Sequence, residues 1–348
     1  MDTIKPTKIG VKVGHQLTPT SPLTAAEMGK LWATYMGNSM CKQILTHFLQ
    51  HVDDKDIQKI IKDAYILTNS FLAFIENVFQ QEKFPIPVGF TSNDLKQQAP
   101  RLFKDEFYLH YLKYTAKAGM SIYSIGIPIM FREDIRTFFE TCIKETLTLL
   151  HQINVALIEK GFLTTPPTIP IPKEVSFVEK QSYLKGFIGD VRPLHALEIA
   201  HLYDNIENNT VSKALLIAFN QVAKKKSVKG FLTKGHDITA KSVDSYMHYL
   251  YKEGLPSLPL LDHLVTESTI SPFSDKLMVF HKIDMFSMKI RAFGNSMSVD
   301  GRRDLAATYL SSLTKIGLYV EDGANIMIEN GWMEQPPQAS NRQQLFSP

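Results

Sequence analysis

The sequence predicts an all-α fold of two tandem four-helix bundles, ferritin-like, each with a long crossover between its second and third helices. Three observations predict it. The chain is one unit written twice, its apolar residues recur at helical spacing, and one link in each half is far longer than the others.

The repeat emerges when the chain is slid against itself by 171 positions, which aligns Leu23 with Leu194, Glu27 with Glu198, Leu31 with Leu202, Asn38 with Asn209 and Phe48 with Phe219. Eight identities fall in the 26 columns from 23 to 48, against about one or two expected at ordinary residue frequencies. A shift of 170 then pairs Phe103 with Phe273, Arg132 with Arg302, Asp134 with Asp304 and Gly161 with Gly331, so one residue is lost between the halves in the middle loop.

Taken in order, the first helix opens where Thr24 and Glu27 have capping-box spacing and runs to about residue 52. Asp53 or Asp54 caps a second helix, which reaches about residue 83 and is stopped by Pro85 and Pro87. Within it Ile66, Leu67, Phe71, Phe74, Ile75, Val78 and Phe79 recur at spacings of three and four, as one buried face requires. A third helix is expected over about 101–124, ended by Pro128, and a fourth over about 132–160. Gly161 followed by Phe162 reads as a left-handed C-terminal cap, repeated by Gly331 and Trp332. Period-two alternation is nowhere sustained, so no sheet is expected.

Links one and three are short, which makes antiparallel neighbours of the helices they join. The middle link spans roughly 84–100, and 255–271 in the second half; at ~3.3 Å per extended residue it can cross a ~40 Å bundle end to end. A plain up-down bundle with a floppy loop is the competing topology. The expected organisation is an N-terminal arm at 1–20, a first bundle at 21–165, a Pro-rich connector at 166–190, a second bundle at 191–334 and a flexible tail at 335–348. Each bundle is large enough to be stable alone, and the stiff connector favours side-by-side, pseudo-twofold packing.

Composition narrows the partners. With 44% apolar and 21% charged residues, the chain is ordinary globular material, and a net charge of +3 over 348 residues does not argue for nucleic acid or a membrane surface. Two cysteines, Cys41 and Cys142, form no disulfide framework or thiolate zinc cage. The N-terminus lacks the apolar core of a signal peptide, and the most apolar stretch, 121–131, is half a membrane span broken by Pro128. A soluble, cytoplasmic protein is the expectation.

The doubled unit, its Thr24–Glu27 and His195–Glu198 openings, the Pro-containing exits after Glu82 and Glu253, and the Gly161-Phe162 and Gly331-Trp332 ends resemble a family of spore-forming bacteria catalogued as a domain of unknown function, DUF3231. The resemblance covers residues about 15–340 and carries no catalytic signature. It implies tandem ferritin-like bundles, a sporulation-associated or coat-like role, a spore-associated location, and further copies of the chain or coat proteins as partners. No catalytic residue carries over.

Ferritin-like metal proteins turn Glu and Glu-x-x-His motifs inward, since residues three apart on one helix face can grip one cation. The second repeat offers Glu198 and His201 on its first helix and His281 and Asp284 on its third, a candidate set for one divalent iron or manganese ion. His236, Asp244, His248, Glu321 and Asp322 lie on the other two helices as further donors. The first repeat has Glu27 with Lys30, and Tyr111 with Tyr114, at the matching positions, which cannot rebuild the site. Glu198 also suits the first helical turn, where the helix dipole favours a carboxylate. The leading expectation is therefore a non-enzymatic structural or interaction protein. The alternative is a metal-binding oxidoreductase or storage module in the second repeat. A small-molecule cavity in a core lined by aromatic and Met side chains is a third. The lysines at 224–226 read as a solvated turn.

Overall fold

The computed structural model describes residues 21–187, 189 and 191–342. The expected arm at 1–20 and the last six residues of the tail lie outside the described residues. Eight α-helices make up the described fold: α1 (Ala25–His51), α2 (Lys55–Gln81), α3 (Asp105–Gly126) and α4 (Glu133–Glu159) in the first half, then α5 (Ala196–Val222), α6 (Lys226–Lys252), α7 (Asp275–Val299) and α8 (Arg303–Glu329).

Helix starts and stops follow local chemistry. Thr24 and Glu27 form the expected capping box, and His195 and Glu198 form the same box on α5. Asp54 caps α2 by accepting from Asp56 and Ile57 N–H. Gly161 (φ +70°) and Gly331 (φ +65°) take the left-handed conformation. Phe162 N–H then donates to Leu157 O at 2.9 Å and Trp332 N–H to Met327 O at 2.8 Å, the six-residue closure of a Schellman cap. One boundary differs from expectation: α3 starts at Asp105, because 101–104 is extended and paired with the second half.

The crossover runs end to end. Glu82, just past α2, meets Arg132 at the start of α4, whereas Asp105 at the start of α3 accepts from Asp53 and Asp54 N–H at the opposite end. Helices α2 and α3 are therefore parallel, which is the ferritin-like arrangement, and the floppy-loop reading falls away. The second half repeats the scheme, with Arg302 meeting Glu253 and Asp275 accepting from Lys224 and Lys225 N–H.

The two crossovers pair with each other. Isolated antiparallel bridges join Leu95 to Phe273 and Phe103 to Val265. Lys96 N–H donates to Pro272 O (2.7 Å), Thr266 N–H to Leu102 O (3.0 Å), Lys104 N–H to Leu264 O (2.9 Å) and Ser274 N–H to Asp94 O (3.0 Å). Adding or subtracting 170 turns each bond of this set into another, so the pairing sits on a pseudo-twofold axis. Helices α1 and α3 face α7 and α5 across it, and α2, α4, α6 and α8 form the outer faces. Tyr111 and His281, equivalent positions, meet at 2.9 Å, and Lys117 reaches Glu207 (3.1 Å) and Asn208 (2.8 Å) on α5.

The larger of the two apolar clusters crosses the axis without a break, taking in Phe48, Phe103 and Tyr111 with Phe219, Phe273 and Phe286. This shared core bears on the expectation that each bundle is stable alone. Splitting the halves would expose the crossover N–H groups and this apolar seam together. Urea unfolding of the full chain should show one cooperative transition, and separately expressed residues 1–165 and 175–348 should each unfold at a markedly lower midpoint by circular dichroism.

Candidate functional site

Glu198 lies at the start of α5 and is fully buried. Its carboxylate accepts from Arg192 Nη1 and Nη2 (2.8 and 2.7 Å), His195 N–H (3.1 Å) and Arg302 N–H (3.1 Å). Glu27 does the same work in the first half, accepting from Thr24 N–H and Oγ1 (both 2.8 Å), Phe131 N–H (3.0 Å) and Arg132 N–H (2.8 Å). Burial pushes both carboxyls up, but these donors outweigh it and hold both below the usual carboxylate value. Each glutamate thus ties the start of its first helix to the start of its fourth.

The four candidate ligands do not form one site. His201 Nδ1 bonds Asp300 at 2.7 Å, at the C-terminal end of α7. His281 lies in the first turns of α7, which at 1.5 Å per residue is roughly 28 Å away. There its Nε2 faces Tyr111, and Asp284 lines a neighbouring cavity. The proposed donor set of Glu198, His201, His281 and Asp284 therefore does not fit a single iron or manganese ion, because Glu198 is filled by its four donors and the two histidines sit at opposite ends of α7. His236 pairs with Asp237 and Asp322 with Lys234 on the outer faces, where Asp244, His248 and Glu321 are exposed. Among the described residues no group of three or more His, Cys, Asp or Glu converges.

What the axis does build is a polar cavity of about 110 Å³ between α1, α3 and α7, lined by Thr34, Asn38, Cys41, Tyr111, Tyr114, Tyr123, His281 and Asp284. Burial holds the His281 imidazole down near 3, so it is neutral, and its Nδ1 has no partner. Thr34 Oγ1 is likewise buried and unpartnered. Burial pushes the Cys41 thiol up to about 12, which leaves it protonated and a poor nucleophile. Burial also raises the Asp284 carboxyl, only partly offset by the charge of Arg291. A second cavity of about 70 Å³ shares Asn38, Cys41, Thr115, Gly119 and Tyr123 with the first and continues inward to Thr68 and Thr146.

Two further residues escaped the sequence reading. Lys282 and Lys289 on α7 are 0% and 1% exposed. Lys282 Nζ donates to Ser212 Oγ at 2.9 Å, Lys289 Nζ donates to Thr239 Oγ1 at 3.0 Å, and the latter ammonium lies 4.0 Å from the Phe286 ring centroid. The first repeat has Leu112 and Gly119 at these positions. The available signal was a lysine at each of two positions on an otherwise apolar helix face.

These features define a doubled four-helix bundle with long paired crossovers and a polar cavity on its internal axis. The chain belongs to the family described as "Protein of unknown function (DUF3231)", which matches it twice, over residues 13–175 and 182–345. No curated protein matches it. A solved structure of a "putative spore coat protein" from Bacillus halodurans C-125 is similar over 43% of this chain and 98% of its own, at 15% identity and a TM-score of 0.38. No helix among the described residues is long and apolar enough to cross a membrane.

Burial holds both lysine ammonium groups well below their ordinary value of 10.5. The unfolded chain therefore binds more protons than the folded one between the depressed value and 10.5, and stability rises with pH through that window. Replacing Lys289→Met should stabilise the protein at pH 7 by roughly 2 kcal/mol. It should also flatten the rise in urea midpoint between neutral and alkaline pH; an unchanged slope would show that Lys289 does not carry it.

Proposed function

We propose that this protein is a non-enzymatic structural component that associates with further copies of itself, in keeping with a coat-like role. One observation supports the reading above others: the two outer grooves occupy equivalent places in the repeat but have diverged to opposite chemistry. Between α2 and α4 the groove is floored by Phe71, Phe74 and Phe138, with Phe74 stacked on Phe138 at 4.2 Å, and ends at Glu145. Between α6 and α8 the equivalent groove, about 710 Å³, is lined by Ser242, Ser245, Ala307 and Ser311 and carries Lys241, Lys315 and Lys234, the last paired with Asp322, against the single carboxylate of Asp237. Lys315 stands where the first half has Glu145, and Lys234 where it has Asp63.

An acidic, aromatic face on one side and a wide basic groove on the other favour head-to-tail contact between copies. Such contacts are heterologous and extend into chains or rings instead of stopping at a dimer. Large residues on one face and small ones on the other add complementarity of shape. Glu27 and Glu198 serve as caps, with their carboxylates taken up by the donors around them, which supports the non-enzymatic part of the reading.

Sedimentation velocity over a range of concentration and salt tests this. The wild-type chain should self-associate, more weakly at high salt. Glu145→Lys and Lys315→Glu should each weaken association at least about tenfold, and an equimolar mixture of the two variants should restore it. A chain that stays monomeric throughout, or variants that assemble like the wild type, would sink the proposal.

A further inference from the structure

We propose that the first bundle binds a short linear diamine across the two adjoining cavities between the internal axis and Thr68, where the ligand lies as the Lys289 side chain lies in the second bundle. The repeat itself supplies the template. Under the shift of 170, Gly119 is the position of Lys289; under the shift of 171, Thr68 is the position of Thr239. In the second bundle the helical frame therefore holds an alkyl amine that leaves α7 and ends on a threonine hydroxyl of α6, at 3.0 Å and almost fully buried. In the first bundle the residue is glycine, and the inner cavity lies beside Gly119, Thr68 and Thr146 with the Tyr123 ring on its wall. The space is close-fitting: a Cβ added at Gly119 would stand 3.2 Å from the Tyr123 ring.

The two cavities adjoin across α1 and α3, where they share five lining residues, and each has polar groups at its far end. At the inner end the Thr68 hydroxyl, now partnered by Cys41, stands where Thr239 accepts from Lys289. At the axis end Asp284 forms no ion pair among the described residues, and the Tyr111 and Tyr114 rings line the same cavity. A carboxylate beside aromatic rings is the chemistry that recognises an ammonium group. An incoming ammonium would give this half-buried carboxylate a nearer counter-charge than Arg291, which only partly offsets the effect of burial. Thr34 Oγ1 and Asn38 are further acceptors on the same wall. Polar groups at the far ends of two adjoining, mostly apolar cavities fit an amine at each end of an unbranched alkyl chain.

Calorimetric titration of the full-length chain with 1,4-diaminobutane, butylamine and 1,4-butanediol tests the proposal. The diamine should bind, butylamine at least about tenfold more weakly, and the diol not measurably. Asp284→Asn, which keeps the side-chain shape, should weaken the diamine at least about tenfold. Gly119→Lys should abolish binding by filling the space from within, as Lys289 does. Circular dichroism establishes that each variant is folded, and the three-ligand series on the wild-type chain decides the matter should a variant fail to fold. Equal binding of diol and diamine, unchanged affinity in Asp284→Asn, or no binding of the diamine at millimolar concentration would each overturn it. The outer grooves take no part, so failure here leaves the assembly reading untouched.

Discussion

The antiparallel pairing of the two crossovers is the constraint on which the rest of the structure depends. Each crossover must carry extended backbone along the length of a bundle, and buried N–H and C=O groups along that path need partners. Neither bundle supplies them. The equivalent segment of the other half does, through four backbone hydrogen bonds related by the axis. This contact fixes which helices face inward, and so decides that Tyr111 meets His281, that the polar cavity lies on the axis, and that the α2–α4 and α6–α8 grooves face outward.

The duplication acts as an internal control on what the fold demands. Where backbone N–H groups gather at the junction of the first and fourth helices, three in the first half and two in the second, both halves keep a buried glutamate, and both keep the arginine that links it to the end of the second helix. The geometry of helix ends leaves little choice there. Where the demand is only to fill volume, the halves have parted: Gly119 against Lys289, Leu112 against Lys282, Phe71 against Ser242. A cavity in one half and a buried amine in the other are two answers to the same packing space, and both depart from the apolar filling that stability alone would favour.

The axis itself is unusually polar for a fold-internal seam. Tyr111 and His281 share a hydrogen bond, Lys113 and Lys117 reach Glu207, and Asp284 lines a cavity, all within a continuous apolar cluster. Polar groups in such a place fix the register of two similar surfaces that apolar contacts would let slide. They also place His281 and Asp284 on the axis, beside the bundle centres where the fold class ordinarily keeps its ligands.

Much of this was determined by the sequence alone. Apolar residues at spacings of three and four in α2, the Thr24–Glu27 box and the glycines at 161 and 331 are local features, and local backbone chemistry set each helix end within a few residues. The shift of 171 followed by 170 likewise declared the repeat and the length of the crossover. What the tertiary structure decided was everything that depends on which faces meet and at what height. The start of α3 moved to Asp105 because Phe103 pairs with Val265 in the other half. Glu198 and His201, three apart on α5, share a helix face, but His281 and Asp284 enter at the opposite end of the antiparallel α7. Helical period reports the face a residue occupies and says nothing of its axial level against a neighbouring helix; that level is set by the crossovers, whose partners are about 170 residues away in the chain.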